Sequence, residues 1–401
     1  MNKNFSLYGL PEKIKFCKKC VISNQRPSSV VEFKNKNQNK EGIKIGDDGI
    51  CEACKYNDLK NKIDWEKREK ELEKILSKYR KNNGYDCIVP GSGGKDSSYT
   101  AHILKYKFGM NPLTVTWAPH LYTNIGWKNF TNWMHIGGLD NILFTPNGKL
   151  HRYLTRLAFL NLLHPFQPFI IGQRIIGPKI AKKFNVPLVI YGENQAEYGN
   201  NINENESPLM NAEFFTNNKS QELSFGGISA EKIMKDKKFS LNDFEPYLPV
   251  DKEDASSHKI KVMYLGYFLK WDPQECYYYA AKNTGFRPNT ERTEGSYSKY
   301  SSIDDKIDPF HYFLTHIKFG LGRASYDAAQ EIRNDKITRE EGINLVKKYD
   351  NEFPKKHFQE FLDYINIDEK DFFQTVDNFR SPHLWKKEEG KWKLLQKIFE
   401  S

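Results

Sequence analysis

The string Val89-Pro90-Gly91-Ser92-Gly93-Gly94-Lys95-Asp96-Ser97-Ser98 gathers small, hydroxyl and charged residues at a spacing suited to phosphate chemistry. Gly93 and Gly94 let backbone N–H groups approach phosphate oxygens with no Cβ in the way, and Ser92, Ser97 and Ser98 offer hydroxyl donors. A helix starting at Ser97 would turn its positive end toward the same place. Lys95 adds a point cation, and Asp96 a carboxylate able to reach magnesium through water. A Walker A loop needs Lys followed at once by Ser or Thr, so Asp96 excludes it. The plain alternative is a Gly-Ser turn without a ligand; the order strand, loop, helix favours a pyrophosphate cradle.

A second constellation is two pairs of equal spacing, Cys17-Lys18-Lys19-Cys20 and Cys51-Glu52-Ala53-Cys54, which use four of the six cysteines. Each pair makes one knuckle, and two knuckles complete a tetrahedral S4 shell. Gly49 frees the turn before Cys51, while Phe16 and Ile50 could cover the metal. Zinc is the favoured reading, over an iron–sulfur cluster and over two disulfides, which a reducing compartment would not keep. Four sulfur ligands leave no position for water, so the metal would be structural.

The elements that must hold these groups follow from patterning. Tyr85–Val89 and Leu113–Trp117 read as strands around a helix from Ser97 to Phe108, with further strands at Asn141–Phe144 and Leu188–Tyr191. Helices are expected over His151–Leu163 and Gln173–Phe184, and a charged amphipathic one from Asp64 to Tyr79 joins the cysteine module to the rest. The alternation predicts an α/β fold with a doubly wound, mostly parallel sheet, whose ligands sit at the carboxyl ends of the strands. Asn200–Asp254 has no clear period and reads as an excursion near the site. Thr338 with Glu341 forms a capping box, opening a run of short helices that includes Asp368–Phe379. The division expected is a four-cysteine module over 1–60, a catalytic domain over 61–335 and a helical region over 336–401.

The glycine-rich string matches the SGGxDS motif of PP-loop ATP pyrophosphatases, which cleave ATP between its α and β phosphates. Beyond it the chain resembles the N-acetyl sugar amidotransferase family of surface-polysaccharide and flagellar-glycan biosynthesis. The likeness lies in Tyr191-Gly192-Glu193-Asn194 with Glu197-Tyr198-Gly199, in Tyr264-Leu265-Gly266-Tyr267 with Lys270-Trp271-Asp272-Pro273-Gln274-Glu275, in the string from Glu291 to Lys306, and in Phe319-Gly320-Leu321-Gly322-Arg323-Ala324. It spans Cys17 to about Thr338. The resemblance implies ATP, magnesium and zinc as cofactors, and conversion of an acetamide on a nucleotide-linked sugar to an acetamidino group through an adenylated imidate. It also implies a separate glutaminase and a cyclase-like ammonia-channel subunit as partners.

On that resemblance, Lys95, Asp96, Lys299 and Lys306 are expected in catalysis, and Ser92, Gly93, Gly94, Lys95, Asp96, Ser97, Ser98, Thr116 and Trp117 around ATP, the last two near adenine. Glu193, Asn194, Arg292 and Ser298 are expected at the sugar, and Asp304 or Asp305 at magnesium. Plainer readings stand beside these: a loop-capping pair for Glu193 and Asn194, and a solvated mixed-charge surface for the Lys299–Lys306 run. His102 and His311 read as packed on helices.

The chain has 401 residues, 38% of them hydrophobic, enough for a packed core. The excess of 61 Lys and Arg over 51 Asp and Glu suits a polyanionic ligand. The cations are scattered, however, and pairs such as Lys347-Lys348 and Lys386-Lys387 read as solvated helix faces, so a nucleic-acid groove is not expected. No apolar stretch reaches membrane-spanning length and the N-terminus has no apolar h-region, so a cytoplasmic location is expected. The main rival is a PP-loop enzyme that modifies tRNA. Sulfur transfer would need a thiol or cluster near the loop, and outside the module only Cys87, in a core strand, and Cys276, alone on a Tyr-rich helix, remain. A non-catalytic scaffold is disfavoured by the intact loop.

Overall fold

The structure is a computed structural model that describes residues 6–27, 42–193, 195–198, 206–217, 223–237 and 239–400. Its centre is a sheet of five strands: β1 (Cys87–Pro90), β2 (Pro112–Trp117), β3 (Asp140–Phe144), β4 (Leu188–Tyr191) and β5 (Lys261–Tyr264). They are ordered β3-β2-β1-β4-β5, and every pairing is parallel. β1 and β2 are buried along their whole length, as strands covered on both faces must be.

Alternation along β1 divides the core. Ile88 packs with helices α5 (Gly148–Leu162) and α6 (Gln167–Phe184), whereas Cys87 and Val89 pack with α2 (Trp65–Leu76), α3 (Lys95–Tyr106) and α4 (Asn124–His135). Against α3 lies α7 (Pro273–Asn283), through His102 Nδ1 and the Tyr279 hydroxyl at 2.9 Å. The result is the doubly wound parallel sheet expected for the PP-loop type. α6 begins earlier than its sequence pattern suggested, since Pro168 sits in its first turn, where a missing N–H costs nothing.

The remaining elements form two further layers. α8 (Asp308–Phe319), α11 (Phe358–Ile365) and α12 (Glu369–Asn378) share a core with Tyr8, Leu10 and Phe159. α9 (Arg323–Arg333) and α10 (Arg339–Tyr349) pack instead on the four-cysteine module, which carries α1 (Glu52–Lys60). The capping box at Thr338 forms as read, with Glu341 N donating to Thr338 Oγ1 at 3.2 Å and Thr338 N donating to Glu341 Oε2 at 2.7 Å.

Two expectations change. Lys386 and Lys387 are exposed on a strand of a terminal hairpin (Trp385–Glu388 with Lys391–Leu394), not on a helix. The described parts of the 200–254 excursion line no cavity beside the loop; Phe215, Phe225, Phe244, Tyr247 and Val250 cover α5 and α6.

Candidate functional site

At the carboxyl end of β1 the chain turns through Gly93, at φ +79°, into the first turn of α3. A Cβ at Gly93 would come within 2.8 Å of Phe130 Cα, so glycine is required for the loop to lie against α4 as well as to turn. Ser97 Oγ accepts from Gly93 N at 3.2 Å and donates to Gly94 O at 3.1 Å, and Ser98 Oγ donates to Gly93 O at 3.3 Å. These two hydroxyls therefore brace the loop. Ser92, Gly93, Gly94, Lys95 and Asp96 line a cavity of 490 Å³.

Glu193 reaches the same cavity from the end of β4. Gly192 allows this, because a Cβ there would stand 2.6 Å from Thr100 Oγ1 and 2.8 Å from the Trp271 ring. Burial raises the Glu193 carboxyl to about 8, with the Asp96 charge adding to the shift and Lys95 opposing it. Burial alone would lower Lys95, but Asp96 and Glu193 hold its ammonium firmly protonated. Asp96 is hydrogen-bonded by Lys95 and lies within hydrogen-bonding reach of the Glu193 carboxyl.

A turn from the 296–305 stretch closes one side. Asp304 lines the cavity and hydrogen-bonds Ser92, and its carboxyl is pushed up by burial. Asp305 points the other way. It accepts from His120 N at 2.7 Å and His120 Nδ1 at 2.8 Å, and from the Leu121 and Ile307 amides at 3.3 and 3.0 Å, stapling the turn to the chain after β2.

Among the other residues singled out from the sequence, Ser298 is buried at the cavity wall, where its Oγ accepts from the Tyr300 and Ser301 amides at 3.3 and 3.2 Å. Arg292 makes a two-pronged ion pair with Glu352, at 2.6 Å on each prong. Lys299 is exposed and Lys306 pairs with Glu360 at 2.5 Å; neither lines the cavity. Thr116 is fully buried and accepts from Asn141 Nδ2 at 3.0 Å. Trp117 is core, its ring 5.1 and 5.2 Å from those of Phe144 and Tyr247, and a Cβ at Gly172 would meet it at 2.3 Å. Asn194 lies outside the described residues.

The sequence reading missed one whole wall. Arg323, Tyr326, Asp327, Gln330, Glu331 and Asn334 all line the cavity, and their spacing of 0, 3, 4, 7, 8 and 11 is one face of α9 continued onto its C-cap, Asn334. That polar stripe, with alanines on the opposite face, was the available signal. Asp350 caps the helix by accepting from Gly322 N and Ser325 N at 2.8 and 2.9 Å. Arg323 Nε lies 2.9 Å from Asp327 Oδ1, and the Tyr297 hydroxyl donates to Glu331 at 2.8 Å. No cysteine is among the lining residues, and Cys276 is a buried thiol pushed up by burial, then by Asp96. Such a group is a poor nucleophile.

The four module cysteines are buried and free of disulfides, with their sulfurs all within 4.8 Å of one another. Cys17 and Cys54 are 3.9 Å apart and Cys20 and Cys51 3.7 Å. Metal–sulfur bonds of about 2.3 Å in a tetrahedron put sulfurs about 3.8 Å apart, so the set fits one ion.

Residues 294–399 match the family model described as "LPS biosynthesis protein WbpG-like, C-terminal domain". That stretch contains Asp304 and the lining face of α9. An uncharacterized protein of Methanocaldococcus jannaschii is 46% identical over 67 residues, which cover 16% of this chain and 24% of that protein. The chain thus spans about a quarter of the length of that curated relative. Among solved structures, NMN synthetase from Francisella tularensis is similar over 77% of this chain and 96% of its own, at 10% identity and TM-score 0.32. For a tRNA thiolase from Methanococcus maripaludis, solved with its iron–sulfur cluster, the figures are 79%, 89%, 12% and 0.30. For NH3-dependent NAD synthetase from Campylobacter jejuni they are 37%, 60%, 17% and 0.26, so the chain covers under two thirds of it. These likenesses are remote, and the chemistry is read from the cavity. No helix among the described residues is long and apolar enough to cross a membrane.

Proposed function

We propose that the chain is an ATP-dependent amidotransferase that converts the N-acetyl group of a sugar, carried on a nucleotide, to an acetamidino group during lipopolysaccharide or related surface-glycan assembly. The observation that carries this reading is the shared cavity: the SGGxDS loop opens into the same space as Glu193 and the α9 face, and α9 lies in the stretch that matches the polysaccharide-biosynthesis model.

Amides are poor electrophiles. In the proposed reaction the acetamide oxygen bonds to the α-phosphorus of ATP, the α–β phosphoanhydride breaks and pyrophosphate leaves. The ammonia lone pair then bonds to the imidate carbon, the C–O bond to AMP breaks, and a proton is lost. Lys95 and the first-turn amides of α3 stabilise charge on the departing pyrophosphate, and the loop and α9 hold the two substrates in line. The carboxyls of Asp96 and Asp304, both on the cavity wall, suit magnesium, which supplies further charge neutralisation when bound; Asp305, saturated by donors, does not. Zinc suits the four-thiol set and serves structure.

Ammonia would come from a separate glutaminase through a channel subunit, because almost all free ammonia is ammonium at neutral pH and lacks the lone pair that attacks. The test is incubation of the purified chain with ATP, magnesium, ammonium and nucleotide-linked N-acetyl sugars. AMP, pyrophosphate and a sugar lighter by the exchange of oxygen for NH are expected, with rates rising as pH rises. Release of ADP and phosphate would overturn the reaction, whereas efficient use of glutamine by the lone chain would overturn only the need for a partner.

A further inference from the structure

Phe286, Tyr300, Tyr312 and Tyr326 bring aromatic rings to the cavity wall. Tyr312 and Tyr326 each set a ring under a guanidinium, that of Arg323 at 4.5 Å and that of Arg26 at 5.0 Å from the ring centroid. Phe286 is 3% exposed and packs in a small cluster with Ala280 and Ile303. Tyr300 is held differently. One face of its ring lies on Tyr277, in a stack with centroids 4.5 Å apart and planes 8° from parallel. Its hydroxyl donates to Glu331 Oε1 at 3.4 Å. The backbone around it is tied as well, with Asn289 N donating to Lys299 O at 2.7 Å and Thr293 Oγ1 donating to Ser301 O at 2.8 Å.

With one face covered and the hydroxyl committed, what Tyr300 has left for a ligand is its other face. A ring already held on two sides loses little freedom when a ligand stacks on it. Burial pushes the Tyr300 phenol up, with the Glu331 charge adding to the shift and Lys95 opposing it, so the ring stands within the field of the phosphate-loop lysine. The second substrate must come to this neighbourhood. An acetamide nitrogen is bonded directly to a ring carbon of its sugar, so a sugar whose acetamide oxygen meets the α-phosphorus beside Lys95 carries its pyranose close to the loop. The C–H face of a pyranose is weakly positive and suits the negative face of an aromatic ring. Gln274 and Gln330 line the same cavity, and neutral amides offer the donors and acceptors that hydroxyls need.

We propose that Tyr300 is a specificity-determining residue, the platform on which the pyranose ring of the N-acetyl sugar stacks while its acetamide meets ATP. The proposal rests on the sugar reading above and names the part of the substrate that this wall recognises. The base of the nucleotide carrier and the adenine of ATP are the competing occupants, and the test separates all three.

Calorimetry on the full chain would compare ATP, UDP, UDP-N-acetylglucosamine and UDP-N-acetylgalactosamine. At least one UDP sugar should bind about fivefold more tightly than UDP, or better, a gain that belongs to the pyranose. Tyr300→Leu should remove that gain and leave ATP and UDP within about twofold, whereas Tyr300→Phe, which keeps the ring and loses the hydroxyl, should retain most of it. A loss shared equally by UDP and its sugars assigns the platform to the base, and a loss confined to ATP assigns it to adenine. Either overturns the proposal, as does equal binding of UDP and both sugars by the unaltered chain. If the melting temperature shows that the Leu variant does not fold, saturation-transfer NMR on the unaltered chain decides. Irradiation of the protein's aromatic protons should reach the pyranose protons, and transfer to the uracil protons alone sinks the assignment. Ring-dependent sugar binding without AMP formation would end the reaction proposed above and keep the platform, whereas undiminished acetamidino-sugar formation by Tyr300→Leu would keep the reaction and end the platform.

Discussion

Lys95 pairs with Asp96 and feels the charge of Glu193, in a wall where burial works against an ionised Glu193. The ammonium keeps its charge and Asp96 takes it as partner, which leaves the proton on Glu193. The sign of the pH effect follows. The folded chain holds a proton up to about 8 that the unfolded chain, near the ordinary 4.5, has already released, so this group's contribution to stability is full below 4.5 and lost as pH rises to 8. Glu193→Gln removes the titration. Its melting temperature should gain on that of the unaltered protein from pH 5 to about 8 and then level off; parallel curves would mean that Glu193 is ionised throughout. At this scale the loop was legible because glycines, hydroxyls and a Lys-Asp pair at fixed spacing have few other uses. Asp305 was not, because adjacent aspartates in a sequence do not reveal that one faces the cavity and the next faces backbone amides.

Among the elements, strands β1 to β4 were legible from short apolar runs bounded by turn residues. β5 was not: Lys261–Tyr264 is four residues long and follows a segment without period, so only its pairing with β4 defines it. The α9 wall shows the converse failure, a face clear in helical spacing but hidden by reading only its first residues as a motif. How elements meet at the loop is testable at Gly126, on the first turn of α4. A Cβ there would stand 2.5 Å from Asp304 Cα and 2.7 Å from its carbonyl oxygen, both backbone atoms that cannot swing away. Gly126→Ala should therefore push the Asp304 turn off Ser92, at a cost in stability of about 1–3 kcal/mol. AMP formation should fall further than that loss explains. Gly148→Ala, where nothing lies within 4 Å, is the control and should melt no lower than the unaltered protein. If both variants turn over alike, the Asp304 turn does not matter to the chemistry.

Over the whole molecule the cores cross the sequence divisions expected between 60 and 61 and between 335 and 336. The cysteines share one apolar cluster with Ala328, Ala329, Val346 and Ile398, while the phosphate loop rests on the separate clusters around the sheet. Lys60, at the end of α1, is buried with its ammonium 2.9 Å from Glu197 Oε1, and Arg333 at the end of α9 donates to Glu197 O at 2.9 Å. Module and α9 thus grip the segment that follows Glu193 in the chain. Cys51→Ser removes one of four ligands, and a module without its own core has nothing to replace the metal. Elemental analysis should find about one zinc in the unaltered chain and a marked loss in the variant; iron with labile sulfide would defeat the zinc assignment. Limited proteolysis of the variant should cut first within the 42–54 stretch, before the sheet unfolds. Because α9 loses its backing while the loop keeps its own core, ATP binding should change by less than about threefold, under 1 kcal/mol, while acetamidino-sugar formation collapses. Loss of ATP binding in step with the metal would instead mean that the metal module supports the phosphate loop directly.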